Sequence, residues 1–249
     1  MKSIGTNKSA YFVPVFNQVR ELPQVLDEIR VANVPCDTFI FVNDGSTDGS
    51  EQVLADYGYS WLTNEKRMGL GYCYMKALDW ALEHGYSFFG TMAANGKMLP
   101  SEMPRLLGPV MRGEVDYATG SRFLQGGASP NLPAFRRTMI PFVNHYVHFL
   151  TGARLTDATC GYRAFSLDII RKANFDWHKP WMYAYGFESY LYAKVLLSET
   201  IRWHEVPITM RYPQKGVPYS KIVPFKGWYD MLKPWLIARL DGYSLDERI

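Results

Sequence analysis

Two short stretches of the 249-residue chain set the chemical question. VNDGSTDGS (42–50) delivers Asn43 and Asp44 at the end of an apolar run, with Gly45 next. A carboxylate at Asp44 could accept hydrogen bonds from a nucleobase N–H or a ribose hydroxyl, and Gly45 permits the turn that would aim it. An Asp-Gly turn leading into a helix cap explains the same residues without a ligand. The second stretch, TMAANGKMLP (91–100), contains Lys97 as its one ionisable side chain, and no Asp or Glu occurs between Glu83 and Glu102. Other side chains with chemistry at hand are Arg122, Arg163 and Arg211, which suit anions and surface ion pairs equally. Cys36, Cys73 and Cys160 stand far apart without CxxC spacing, and the five histidines include no HxxxH or HExxH pair. That pattern argues against a disulfide framework or a zinc site and for a reducing, cytoplasmic compartment. His145 and His148, three apart with no carboxylate beside them, read as structural.

These residues need a scaffold, and the hydrophobic pattern supplies one. YFVPVF (11–16), DTFIFVNDGS, YSWLTN and YSFFGTMAA are short apolar runs rich in strand formers. Between them lie helical spacings: Leu22, Val25, Leu26 and Ile29 in 21–33, then TDGSEQVLADYG with Thr47 or Asp48 as cap, then YCYMKALDWALEHG stopping at Gly85. SEMPRLLGPVMRG and VDYATGS add another helix and strand. Strands alternating with helices over ~120 residues predict an α/β fold: a mostly parallel, Rossmann-like sheet with helices on both faces. Ligands of such sheets bind at the carboxyl ends of the strands, where Asn17, Asn43–Ser46 and Ala93–Lys97 all fall. Beyond, 134–152 reads as a helix kinked at Pro141, TDATCGYRAF as a turn, 166–174 and 187–199 as helices, and IRWHEVPITMRY as an edge strand. We expect one domain over 1–225, with a nucleotide-side half (about 10–122) and an acceptor-side half (about 123–225), followed by an extension at 226–249.

VPVFNQ, VNDGSTDGS and RMGLGYCYMKAL, in that order, resemble family 2 glycosyltransferases of the GT-A fold. DYATGSRF, TDATCGYRAF, YGFESYLYAK, EVPITMRY and YSK continue the likeness over about residues 10–225, closest to dolichyl- or polyprenyl-phosphate sugar synthases. The resemblance implies an inverting transfer from a nucleoside-diphosphate sugar. It places Pro14, Asn17, Asn43 and Asp44 on the nucleotide, with Arg67, Gly69 and Gly71 bordering it and Arg122 near the sugar. It places Asp157, Gly161 and Arg163 in an acceptor-side turn. Arg211, Lys215, Ser220 and Lys221 resemble a phosphate-holding RxxGxSK segment, although the spacing here is longer. Glu188, at a helix start, or Asp157 is the candidate base if the acceptor is a hydroxyl or amine.

At the end of the fourth strand the chain departs from the family more sharply. The Asp-x-Asp that ordinarily holds Mg or Mn against the donor diphosphate becomes Ala93-Ala94-Asn95, with Lys97 at the third-ligand position. Alanine has no donor atom and Asn95 offers a neutral carbonyl, so no metal cofactor is predicted. The expectation is that the Lys97 ammonium, with Asn95 beside it, takes over stabilising the leaving diphosphate. A protein that binds its donor without transferring it, and a soluble small molecule as acceptor, remain alternatives to a polyprenyl phosphate.

Composition sets outer bounds. A net charge of +3 does not suggest a nucleic-acid partner. The first residues, MKSIGTNKSA, have no apolar signal core, and no stretch approaches the ~20 apolar residues that span a bilayer. FKGWYDMLKPWLIARL (225–240), mixing aromatic and basic residues, allows peripheral contact with the cytoplasmic face of a membrane or packing on the domain itself. Oligomeric state is not legible.

Overall fold

The computed structural model describes residues 7–172, 176–214 and 226–241, together with Leu245. Its first half follows the expected alternation: β1 (Ser9–Val15), α1 (Leu22–Ala32), β2 (Thr38–Asn43), α2 (Ser50–Asp56), β3 (Trp61–Thr63), α3 (Leu70–Glu83), β4 (Phe88–Thr91), α4 (Met103–Met111) and β5 (Tyr117–Ser121). There follow α5 (Ala134–Thr151), β6 (Arg163–Ser166), α6 (Asp168–Lys172), α7 (Gly186–Leu197), β7 (Trp203–Pro207) and α8 (Lys226–Leu240).

The described strands form one sheet in the order β3-β2-β1-β4-β6-β5-β7. All pairs are parallel except those of β6, which runs antiparallel between β4 and β5. β6 corrects the reading of TDATCGYRAF as a turn throughout: its last residues, from Arg163, enter the centre of the sheet. Arg163–Ser166 is not an apolar run and directly follows turn-forming residues, so it carries no strand signal. IRWHEVPITMRY does provide an edge strand, β7.

Alternation along β1 shows why helices must cover both faces. Ala10 and Phe12 join a core under α3, α5, α7 and α8, while Tyr11, Val13 and Val15 join another under α1 and α4. Gly90 on β4 leaves room for the Tyr11 ring, whose Cζ would lie 2.3 Å from an added Cβ. Within the expected extension, α8 packs on the domain: its Trp235 lies edge-on against Tyr192 of α7, and Lys194 of α7 pairs with Asp241. Among the described residues no helix is long and apolar enough to cross a membrane.

Candidate active site

The sheet order reverses between β1 and β4, whose pairing ends at Phe12 and Thr91, and a cavity of about 700 Å³ opens beyond. One wall is the loop after β1. Asn17 adopts a left-handed backbone (φ 49°), donates its N–H to Ser46 Oγ (3.0 Å) and accepts the Thr47 N–H on Oδ1 (2.9 Å). Gln18 and Val19 donate their N–H groups to Ser50 Oγ and Asp48 Oδ2, both at 2.9 Å. The two loops predicted to meet a nucleotide are thus stapled together. The cap of α2 is Gly49 in place of the expected Thr47 or Asp48, although Asp48 accepts the Ser50 N–H (3.0 Å) at the helix start.

Asp44 is buried, and its carboxylate anchors the RMGLG loop. Oδ1 accepts N–H groups from Met68 (2.7 Å) and the Asn64 side chain (3.0 Å), and Oδ2 accepts that of Gly69 (2.9 Å). Two carboxylate oxygens offer about four acceptor sites, so roughly one stays open to the cavity that Asp44 lines. Gly45 (φ 67°) makes the approach possible: a Cβ there would stand 2.6 Å from the Lys66 carbonyl carbon. Arg67 lays its guanidinium over the Phe16 ring at 4.4 Å, on the cavity rim.

Two nucleotide-side expectations change. A Cβ on Gly71 would lie 1.9 Å from the Met182 carbonyl oxygen, and Gly71 does not line the cavity. What approaches this glycine is the protein's own backbone: Gly71 and Tyr72 donate their N–H groups to the carbonyls of Ala184 (2.8 Å) and Tyr183 (3.0 Å). Asn43 likewise turns away from the cavity lining, with its amide divided between Glu51 and the Ser46 N–H.

The opposite wall is the departure itself. Ala93, Ala94, Asn95 and Lys97 line the cavity beyond β4. Asn95 Oδ1 accepts the Lys97 N–H (3.3 Å), folding the loop back on itself. The Lys97 carbonyl accepts the Arg211 N–H (2.8 Å), tying this loop to the segment after β7. Lys97 Nζ stands 5.8 Å from the centre of the Tyr212 ring. Burial, together with the positive charges of Arg136 and Arg122, pushes the ammonium down to about 8, against a smaller opposing pull from Glu21. Arg211 also lines this wall, gripped by both carboxylate oxygens of Glu28 on α1 (2.9 and 2.7 Å).

The family's usual metal is poorly served. Positions 93 and 95 supply no carboxylate, and among the described residues no three His, Cys, Asp or Glu side chains cluster to hold an ion. The carboxylates lining the cavity are Glu21 and Asp44, and most of Asp44's acceptor capacity serves the RMGLG loop.

Four further expectations, Arg122 on the sugar side and Asp157, Arg163 and Glu188 on the acceptor side, meet ion pairs instead of the cavity. Arg122 and Asp157 are both buried and joined in a bidentate pair, Nε to Oδ2 and Nη2 to Oδ1, each 2.6 Å. Arg122 also reaches Thr159 Oγ1 (2.6 Å) and the Tyr212 hydroxyl. Asp157 thus has both oxygens committed to Arg122. Arg163, on β6, pairs with Glu188 of α7 (2.9 Å) and lies 4.4 Å from the Tyr192 ring centre. Neither Arg163 nor Glu188 lines the cavity. Pro14, Asn17, Asp44, Arg67, Gly69, Asn95, Lys97 and Arg211 do line it, while Lys215, Ser220 and Lys221 lie outside the described residues.

Comparison with known proteins places this geometry. Residues 11–175 match the sequence pattern of glycosyl transferase family 2. The chain belongs to that family. It is 34% identical over 173 residues to a polyprenol monophosphomannose synthase of Mycolicibacterium smegmatis, a match spanning 67% of this chain and 64% of that protein. It is 33% identical over 169 residues to an undecaprenyl-phosphate mannosyltransferase of Micrococcus luteus, spanning 66% of this chain and 68% of the relative. Among solved structures, glucosyl-3-phosphoglycerate synthase of Mycobacterium tuberculosis superposes with a TM-score of 0.66 at 17% identity, covering 94% of this chain and 78% of that one. That likeness bears on fold, and with the seven-stranded sheet it shows this family 2 glycosyltransferase to have the GT-A architecture.

Sequence reasoning missed Arg136 and Glu21, which line the cavity. Arg136 had a readable signal. It and Arg137 occupy the first turn of α5, where the helix dipole disfavours cations, so a pair of arginines there calls for an anion nearby.

Proposed function

We propose that this glycosyltransferase moves a sugar from a nucleoside-diphosphate sugar to a polyprenyl phosphate, with inversion, and that Lys97 stabilises the leaving diphosphate in place of a metal. The observation that carries the reading is the distribution of groups around the cavity: Asp44 and the backbone of the Gly69 loop at one wall, Lys97 and Arg136 toward the other, beside an Arg211 already paired with Glu28. A nucleoside would meet the first wall and its diphosphate the second.

A phosphate acceptor carries its own negative oxygen. That oxygen attacks the anomeric carbon as the bond to the nucleoside diphosphate breaks, and the electron pair leaves on the bridging oxygen. No proton moves, so no general base is needed. The engagement of Asp157 and Glu188 in ion pairs agrees with this route better than with a hydroxyl acceptor. The two relatives named above also act, by their names, in polyprenyl-phosphate glycosylation.

The test is turnover of UDP-, GDP-, TDP- and CDP-sugars with a polyprenyl phosphate, in chelator and in manganese. Equal release of nucleoside diphosphate and lipid-linked sugar in chelator is expected from one donor. Turnover that requires manganese would overturn the role given to Lys97. Turnover with soluble acceptors alone would overturn the lipid. Because Ala93 and Ala94 also suit a protein that binds donor without transferring it, saturable donor binding with no release would favour that second reading.

A further inference from the structure

A different face of the molecule asks for a partner. α5 buries Ile140, Val143, Val147 and Leu150, yet Phe135, Phe142 and Phe149 recur at seven-residue spacing and are 60%, 65% and 85% exposed. Seven residues are about two helical turns, so the three rings form one ridge on a flank, roughly 120° around the helix from the buried stripe. α8 lies alongside: Phe135 meets Trp228 edge-on at 5.9 Å, and the Tyr146 hydroxyl donates to the Leu232 carbonyl (3.3 Å). α8 too has an outer stripe, Tyr229, Leu236 and Leu240, which are exposed at 60%, 44% and 74%. Lys233 interrupts that stripe, its ammonium 5.5 Å from the Tyr229 ring centre.

On the other flank of α5 a second pocket of about 350 Å³ is lined by Arg137, His145, His148 and Arg154 over an apolar floor that includes Phe123 and Leu155. No Asp or Glu lines it, and none occurs in the sequence between Asp116 and Asp157. Both histidines hold Nδ1 against a backbone carbonyl, Pro141 for His145 (2.9 Å) and Ala153 for His148 (3.2 Å). Exposed aromatic rings bordered by arginines and a lysine, without acidic side chains on α5, match the interfacial zone of an anionic bilayer.

We infer that the outer face of α5 and α8 docks on an anionic membrane, with the Phe135–Phe142–Phe149 ridge inserted among the lipids and the Arg137–Arg154 pocket receiving a phospholipid headgroup. The site is separate from the donor cavity, and the inference does not depend on which acceptor the enzyme uses. Adjacent arginines link the two: Arg136 lines the donor cavity and Arg137 the headgroup pocket. Docking therefore sets the donor cavity at the level of the lipid surface.

Flotation with phosphatidylcholine vesicles, with and without phosphatidylglycerol, tests it. The wild-type chain should float with the anionic vesicles and far less with the neutral ones. Each arginine near such a surface contributes about fivefold in partition, so R137A/R154A should lose on the order of thirtyfold. F142S/F149S should lose most binding with an unchanged melting temperature, and V31S, an exposed apolar control on α1 across the sheet, should bind like wild type. Wild-type protein that ignores anionic vesicles, or Phe variants that bind as well as wild type, would overturn the proposal. So would a wild-type dimer in sedimentation equilibrium that F142S/F149S dissociates, since the ridge would then belong to a second copy.

Discussion

Replacing Lys97 by methionine should move stability and activity in opposite directions. Methionine keeps much of the side-chain volume and removes the charge. Lys97 is half-buried and faces the charges of Arg136 and Arg122, which with burial take its pKa from 10.5 to about 8. At 1.36 kcal/mol for each pH unit, that gap corresponds to at most about 3.4 kcal/mol, and partial solvation of the ammonium reduces it to roughly 1–2 kcal/mol. The sign follows from linkage. The folded pKa lies below the unfolded one, so the fold resists the protonated form. The destabilisation is full below about pH 8 and is relieved as pH rises toward 10.5. K97M should therefore melt about 2–8 °C above wild type at pH 7, at roughly 2–4 °C per kcal/mol, with the gap closing by about pH 10.5. Turnover should fall. A unit charge ~4 Å from a phosphate oxygen contributes about 4 kcal/mol at an effective dielectric near 20, or about a thousandfold in rate. Thermal melts at pH 7 and 10.5 and nucleoside diphosphate release are the assays. A K97M protein that melts below wild type at pH 7, or that keeps full turnover in chelator, would refute the reasoning.

Further expectations attach to the buried pairs and the close backbone contacts. Asp157→Asn leaves Arg122 buried without its counter-charge and should cost about 3–5 kcal/mol, a fall in Tm on the order of 10 °C by calorimetry. Asp44→Asn would turn an amide NH₂ toward the donors of Asn64, Met68 and Gly69. Titration calorimetry should show donor affinity falling about tenfold, which is 1.4 kcal/mol, with the melting temperature also lowered. Gly71→Ala would press a methyl into the Met182 carbonyl, and chemical denaturation should register a loss of about 1–3 kcal/mol.

The alternating strands and helices of the first half were legible because short apolar runs, β3 and β4 no longer than β6, alternate with helical spacings, and because Gly45 and Gly85 mark turns at the expected places. β6 was not, since Arg163–Ser166 is not an apolar run and directly follows the turn-forming residues TDATCGY. For the site, sequence order pointed to the strand ends, and Asn17, Asp44 and Lys97 line one cavity there although 80 residues separate the first from the last. What order could not reveal was pairing. Arg122 and Asp157 are 35 positions apart, as Arg163 and Glu188 are 25, and neither sequence context discloses that each arginine meets a carboxylate before it can meet a phosphate. Arg136 escaped for the opposite reason, since its local signal was present in an unfavourably charged helix start but its destination depended on the packing of α5.

The contact between the start of α3 and the segment 182–184 is made by main chain on one side and by glycine on the other. Its specificity resides in Gly69 and Gly71, while the carbonyls of Met182, Tyr183 and Ala184 would be supplied by almost any residue types. The side chain at 185 is consequently free to change, or to be randomised in a library, without unlatching the donor-side scaffold, whereas the Tyr183 ring packs edge-on against Tyr72 (5.1 Å). Tyr185 already faces the cavity from this segment. New substrate preferences could therefore be selected there through side-chain change alone, with the fold as a constant background.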